Sequence, residues 1–230
     1  IPAFVLSVAL AGLIWAIQTG YSLQGPIGLF LGSWLVFGSI TEIFTRLGKS
    51  RDVMRLFRLP RADWGKFLAH SGLGITMFAI AGLMAWEQED IRTVQIGESW
   101  SVGKFDFTLD DVSEVEGPNY LSTMATVTFD EAGATVGTIY PEKRFYPVAQ
   151  MPTTEASIDY SLLRDVYVVI GDPQNDGGWA VRTYIKPLAN WIWLGCMIMS
   201  FGGFVSLTDR RFRIAAGAKK QATPAGQPAE

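Results

Sequence analysis

The 230-residue chain has little sulfur, little histidine and little charge. A single cysteine, Cys196, excludes a disulfide framework within the chain and any CxxC redox or zinc motif. A single histidine, His70, excludes a multi-histidine metal site built from this chain alone. Charged residues are only 18%, where soluble domains average about 25%. The formal net charge of −3 gives nucleic acid no basic footprint to bind. No basic segment precedes the first apolar run, which argues against a secretory leader. The chain opens on Ile1 inside that run, as expected of one piece of a longer protein.

The missing charge is concentrated in four apolar stretches. Ile1–Leu23 and Leu188–Leu207 carry none, Pro26–Phe44 carries only Glu42, and Phe67–Trp86 contains only the titratable His70. Each is about 20 residues, enough at ~1.5 Å per residue to cross the ~30 Å hydrocarbon core. Buried helices of soluble proteins keep a polar stripe. These are apolar all round, so four transmembrane helices are expected. Glycines within them, among them Gly28, Gly32, Gly72, Gly74 and Gly202, suit close helix packing in lipid.

Lysine and arginine orient the spans. Arg46–Lys66 holds seven basic residues against Asp52 and Asp63, and the tail after Leu207 holds five against Asp209 and Glu230. Glu87–Pro187 holds seven basic and 17 acidic residues. The expected organisation is three membrane helices in 1–86 with a basic cytoplasmic loop at 46–66. An extracytoplasmic domain at 87–187, a fourth helix at 188–208 and a cytoplasmic tail at 209–230 follow. The tail's Ala, Gly, Gln and Pro from Ala215 onward predict disorder. Both termini are expected in the cytoplasm, the link Thr19–Gly25 outside, and the acidic domain in the periplasm of a bacterial inner membrane. Trp86, Trp191 and Trp193 mark the outer interface and Trp64 the inner one.

The acidic segment reads as a small all-β sandwich or barrel. Alternating runs at Thr93–Ile96, Phe105–Asp111, Thr123–Phe129, Thr135–Tyr140, Val166–Ile170 and Trp179–Ile185 are separated by Gly, Pro and Asp/Asn breaks. In the last run, Trp179, Val181, Thr183 and Ile185 share one face, the period of a half-buried strand. Thr153–Leu163 predicts one short helix capped by Thr153 or Thr154.

His70 is the sharpest candidate for chemistry, because an ionisable group within a span marks function by default. It can ligate a metal, or it can hydrogen-bond a neighbouring helix as a neutral side chain. Gly74, Met77 and Ala81 lie near its azimuth, and the small ones would leave room for a flat macrocycle. Glu42 sits at similar depth on the preceding span. It can accept the imidazole N–H, or pair with Arg46 at i,i+4. Cys196, in an apolar context, reads as a packing residue. Lys143-Arg144, set among aromatics and prolines, can meet a carboxylate or propionate, or can simply pack. Trp100 and Trp179 form no tryptophan-rich motif. No catalytic residue is evident.

Several strings in order carry a resemblance: RLPRADWGKFLAHSGLGITMFAIAG, GPNY, YPEKRFYPVAQMPTTEASID, LLRDVYVVIGDP, GGWAVRTYIKPLANWIWLG and GGFVSLTDRR. They resemble the last third of the CcmF family of cytochrome c maturation. The resemblance implies a subunit of a haem lyase, which joins haem to the CxxCH cysteines of apocytochrome c. It implies as partners the remainder of CcmF, the haem chaperone CcmE, CcmH-type subunits and the lipid bilayer. His70 matches the family's LAH histidine, an axial ligand of a resident b-type haem in the membrane; the second ligand and the tryptophan-rich haem-delivery segment lie outside this stretch. Such a haem lies too deep to be the transferred one, so an electron relay is expected, with quinol as a candidate donor. Lys66, one turn from His70, is the expected propionate contact, with Asp63 a turn further orienting it, and Glu42 the expected supporting group. The stretch alone is not expected to be active. A membrane-anchored docking module without its own chemistry is the alternative. A transporter is disfavoured, because the four spans hold no broken-helix pair.

Overall fold

The computed structural model describes residues 1–18, 22–46, 53–175 and 177–209. Thr19–Tyr21 of the Thr19–Gly25 link, the basic residues Lys49 and Arg51, and the tail from 210 onward, including its expected disorder, lie outside the described residues. The chain divides into two compact units, Ile1–Ala81 with Trp191–Glu230, and Gly82–Asn190.

The first unit is helical. It contains α1 (Pro2–Ile17), α2 (Gln24–Arg46), a 3-10 turn (Val53–Arg58), most of α3 (Arg61–Trp86) and most of α4 (Ala189–Leu207). Helices α2, α3 and α4 are long and apolar enough to cross a membrane. Helix α1 is also apolar and is described over 16 residues, ending where Gln18 leaves the helix with extended geometry. The α2 start is held by Ser22, whose Oγ accepts the Gly25 N–H at 3.1 Å. Helix α3 begins at Arg61, just after Pro60, and Ala62 N–H donates to Asp209 Oδ2 at 2.9 Å. A carboxylate there satisfies an orphan donor and meets the positive end of the helix dipole. Asp209 belongs to the segment just after α4, so no local sequence signal announces this cap.

Glycine sets the spacing of these helices. A Cβ on Gly32 of α2 would lie 2.6 Å from Gly74 O of α3. One on Gly72 would lie 2.6 Å from Gly195 O and 2.5 Å from Met199 N of α4. Backbones thus touch on two faces of α3. Thr76 Oγ1 donates to Gly72 O at 3.0 Å and reaches Ile192 O at 3.4 Å. Cys196 Sγ lies 3.8 Å from the same hydroxyl, the packing role its context implies. Aromatic edges join α1 to α2, with Phe4 set T-shaped against Phe30 and Trp34. Gly72→Leu is expected to push α3 from α4 and lower stability by about 1–3 kcal/mol, the usual range for overpacking. Gly203→Leu, with open space around its Cβ direction, should be near neutral. Thermal unfolding in detergent distinguishes them.

The second unit is an antiparallel β-sandwich of two sheets. One has the order β1 (Gln88–Val94), β10 (Trp179–Pro187), β9 (Arg164–Pro173), β8 (Ser157–Tyr160). The other runs β2 (Ser99–Val102), β3 (Phe105–Glu116), β4 (Leu121–Glu131), β6 (Glu142–Tyr146), β7 (Met151–Glu155), with β5 (Ala134–Ile139) also on β4. Strand β4 pairs with β6 over Leu121–Met124 and with β5 over Val127–Glu131. The chain changes partner at Pro141, which has no N–H to give the ladder but whose carbonyl accepts from Ala125 N at 2.9 Å. Ala132 and Gly133, both at positive φ, make the two-residue turn between β4 and β5.

The core is the alternation predicted for these strands. Phe105, Phe107, Phe129, Leu109 and Val127 from one sheet meet Val166, Val168, Ile170 and Val181 from the other. Thr183 is fully buried and accepts a hydrogen bond from Trp100 Nε1 at 3.1 Å, joining β10 to β2. The face shared by Val181, Thr183 and Ile185 is the buried one, as their spacing predicts. The expected helix over Thr153–Leu163 is not formed. Met151–Glu155 pairs with β6 and Ser157–Tyr160 with β9. Cross-strand partners override the local capping signal, and Pro152 is tolerated because β7 lies at a sheet edge.

Candidate functional site

The charged end of α3 and the adjoining end of α2 bring the predicted residues together. Arg61, Asp63, Lys66 and His70 lie in the first turns of α3, and Glu42 and Arg46 in the last turns of α2. Glu42 Oε1 accepts from Lys66 Nζ at 2.7 Å and from Arg46 Nη2 at 3.0 Å. Arg46 Nη1 donates to Asp63 Oδ2 at 2.7 Å. A chain of alternating charge therefore runs Lys66, Glu42, Arg46, Asp63 across the two helix ends. Trp64, next to Asp63 in the chain, donates from Nε1 to Leu56 O at 3.0 Å and sets its ring edge-on to Phe67.

Of the two roles open to Glu42, the i,i+4 pair with Arg46 forms, joined by Lys66, and the imidazole is not its partner. Asp63, expected to orient Lys66, holds Arg46. The physical reason is reach. Both cations arrive on long side chains from the helix ends, while the imidazole finds an acceptor within its own helix.

That acceptor is the Lys66 carbonyl, 2.9 Å from His70 Nδ1. A carbonyl only accepts, so Nδ1 is the donor, and in the neutral ring Nε2 is the nitrogen that presents a lone pair. His70 is exposed, at the head of an α3 stripe in which Leu73, Ile80 and Met84 are also exposed. Gly74 and Ala81, expected to leave room beside the imidazole, are used elsewhere. Gly74 is buried against Gly32, and Ala81 packs at Gly28. The room around His70 comes from the exposed face, not from small neighbours. A proton-fixed imidazole with an open Nε2, and an ammonium one turn away, suits an axial ligand of a haem.

The sandwich has a cleft of about 610 Å³ at the end where β10 begins, between the two sheets. Glu114, Glu116, Lys143, Arg144, Asp172 and Trp179 are among the residues lining it. Of the two roles open to the basic pair Lys143-Arg144, packing within the domain is the one seen. Lys143 is ion-paired with Asp172. Arg144 donates to Glu142 Oε2 at 2.8 Å and lies over the Tyr120 ring at 4.5 Å. Glu142 is held below the ordinary glutamate range by Arg144, with help from the Ser122 hydroxyl. Its ion pair therefore contributes stability above the ordinary glutamate value of 4.5 and loses it as pH falls through the lower folded value. Glu142→Gln should flatten that part of the acid-unfolding curve followed by near-ultraviolet circular dichroism.

Residues 85–187 match the family described as CcmF C-terminal beta-sandwich. Over 96% of its length the chain is 51% identical to the cytochrome c-type biogenesis protein Ccl1 of Rhodobacter capsulatus, covering 33% of that protein. It is 34% identical over 98% of its length to the cytochrome c-type biogenesis protein CcmF of Escherichia coli, covering 34% of it. It thus spans about a third of the length of the curated relatives it matches. A solved structure titled cytochrome c heme lyase CcmF superposes on 89% of the chain and 34% of its own, with TM-score 0.69 and 21% identity, which supports the fold. The chain is a homologue of the CcmF, Ccl1 and CycK cytochrome c biogenesis proteins, a membrane helical region carrying the CcmF C-terminal β-sandwich.

Proposed function

We propose that this chain is the C-terminal portion of a haem lyase subunit for c-type cytochromes, and that His70 is an axial ligand of a resident b-type haem. The observation that carries this is the imidazole itself: Nδ1 bonded to the Lys66 carbonyl, Nε2 open on an exposed face of α3. In this reading the Lys66 ammonium meets a propionate, and Glu42, paired with it at 2.7 Å, positions it. When bound, the haem supplies one-electron chemistry. The chain's own residues hold the ring tautomer and keep a cation near the helix end. The protein purified from its native membrane should show a pyridine haemochrome spectrum of b type. A folded preparation without that spectrum would overturn the reading.

The second unit acts in this reading as a docking domain for CcmE, CcmH-type subunits or apocytochrome c, and its cleft is the feature that favours docking. The unit lies in the periplasm and the chain ends in the cytoplasm, as the basic residues near the α2–α3 connection and the acidic sandwich require. Reporter fusions after Arg55 and within Asp172–Gly178 are expected on opposite sides of the membrane. Equal activity on one side contradicts this topology.

A further inference from the structure

The turn from β8 to β9 exposes three large side chains together. Tyr160, Leu162 and Leu163 are 66%, 67% and 64% exposed. The turn is not loose. Ser161 Oγ donates to Arg164 O at 2.6 Å, and Arg164 N–H donates back to Ser161 Oγ at 3.2 Å. Beneath it Asp165, only 2% exposed, accepts from Asn190 Nδ2 at 2.7 Å. Two leucines and a tyrosine are thus held outward by a fixed backbone.

Where the turn is held decides what it meets. Leu188 N–H donates to Leu163 O at 2.9 Å, and Asn190 Nδ2 donates to Ser161 O at 2.9 Å. Leu188 is the residue before α4, and Asn190 lies in its first turn. The Leu188 side chain packs at Gly82, in the last turns of α3, where a Cβ would lie 2.8 Å from Leu188 Cδ1. The turn is therefore stitched to the place where one membrane helix ends and the next begins. Helices long and apolar enough to cross a membrane leave and enter it at such ends. Trp86 ends α3, and Trp191 and Trp193 lie in the first turns of α4, sequence positions typical of interfacial aromatics.

We propose that the β8–β9 turn is a membrane-interface anchor, with Tyr160, Leu162 and Leu163 inserted among phospholipid headgroups and upper acyl chains of the leaflet facing the sandwich. Tyrosine supplies an apolar ring with a hydroxyl that stays wet, and the leucines supply the apolar area. Lys186, which pairs with Glu87 at 3.5 Å and lies over Tyr167 at 4.8 Å, provides a charged and aromatic collar on the same end of the sheet. The anchor gives the sandwich a third attachment to the bilayer besides its two covalent links, and so restricts its tilt. The proposal is independent of the haem reading.

Nitroxide accessibility tests it. The full chain, with Cys196→Ser so that the label attaches only where placed, is reconstituted in phospholipid nanodiscs. Single labels at Leu163→Cys and at Val148→Cys are compared. Val148 is 98% exposed in the turn between β6 and β7. The ratio of collisions with oxygen to collisions with a water-soluble nickel chelate is expected several-fold higher at 163 than at 148. Tyr160→Cys provides a second label in the same turn and should read the same. A ratio at both turn positions equal to that at 148 puts the turn in water and overturns the proposal. Exclusion of both reagents there puts protein over the turn and overturns it as well.

Discussion

Replacing His70 with alanine in the full-length protein is expected to yield a folded membrane protein depleted of the b-type haem proposed above. The side chain is exposed and its ring bond is to its own helix. Substitutions of that kind usually stay within about ±0.5 kcal/mol of wild-type stability. The haem-to-protein ratio should therefore fall several-fold, while the melting temperature of the haem-free forms hardly moves, since bound haem itself adds to the stability of the wild type. His70→Cys supplies another ligand and should retain some haem with a changed spectrum. Lys66→Ala keeps the ligand and the carbonyl that orients it, so it should weaken retention modestly or shift the potential. The order of the three ratios is the test. An unchanged ratio in His70→Ala removes the ligand assignment, because a structural histidine would alter stability and not haem per folded molecule.

The second large effect is in the sandwich. Phe129 is fully buried, its ring stacked on Phe107 at 5.8 Å and edge-on to Phe105 at 6.1 Å. Phe129→Ala removes the aromatic that both neighbours share and leaves a cavity. Phenylalanine-to-alanine changes in such cores cost about 3–5 kcal/mol. Domains have only about 5–15 kcal/mol in total, so this one change is expected to leave the sandwich near its unfolding threshold. Limited proteolysis between 87 and 187 should accelerate sharply in Phe129→Ala. Val148→Ala, at a fully exposed turn position, should cleave at the wild-type rate. Equal rates for the two variants would show that the aromatic cluster contributes little.

Both effects trace to residues whose significance differs in how far it can be read locally. The length of an apolar run is a property of consecutive residues, so the helices that became α2, α3 and α4 were legible directly. Ile1–Leu23 promised as much, but α1 stops at Ile17 because run length does not report where the backbone leaves the helix. Strands with clean alternation, such as Trp179–Ile185 and Phe105–Asp111, were legible for the same local reason. Strands β2 and β6 were not, since four or five residues carry too few periods to stand out. Neither were β7 and β8, where threonines mimic a helix cap and only the partners β6 and β9 decide the outcome.

At the candidate site the division is sharper. His70 is singular in composition and sits in an apolar helix, and that alone marks it. Its tautomer follows from helical geometry, with the Lys66 carbonyl one turn back. Which side chains share the helix ends is a different matter. Gly74 and Ala81 face α2, Glu42 takes Lys66 and Arg46, and Asp209 caps a helix that begins well over a hundred residues earlier. Each of these depends on how one helix is rotated against another. That rotation is set by close backbone contacts such as Gly32 with Gly74 and Gly72 with Gly195, and not by any residue's sequence neighbours. The chain by itself therefore determined membrane helices, an all-β insert and one histidine worth testing. Only the tertiary structure decided what surrounds that histidine, because side-chain pairing between elements is fixed by packing geometry that no local window contains.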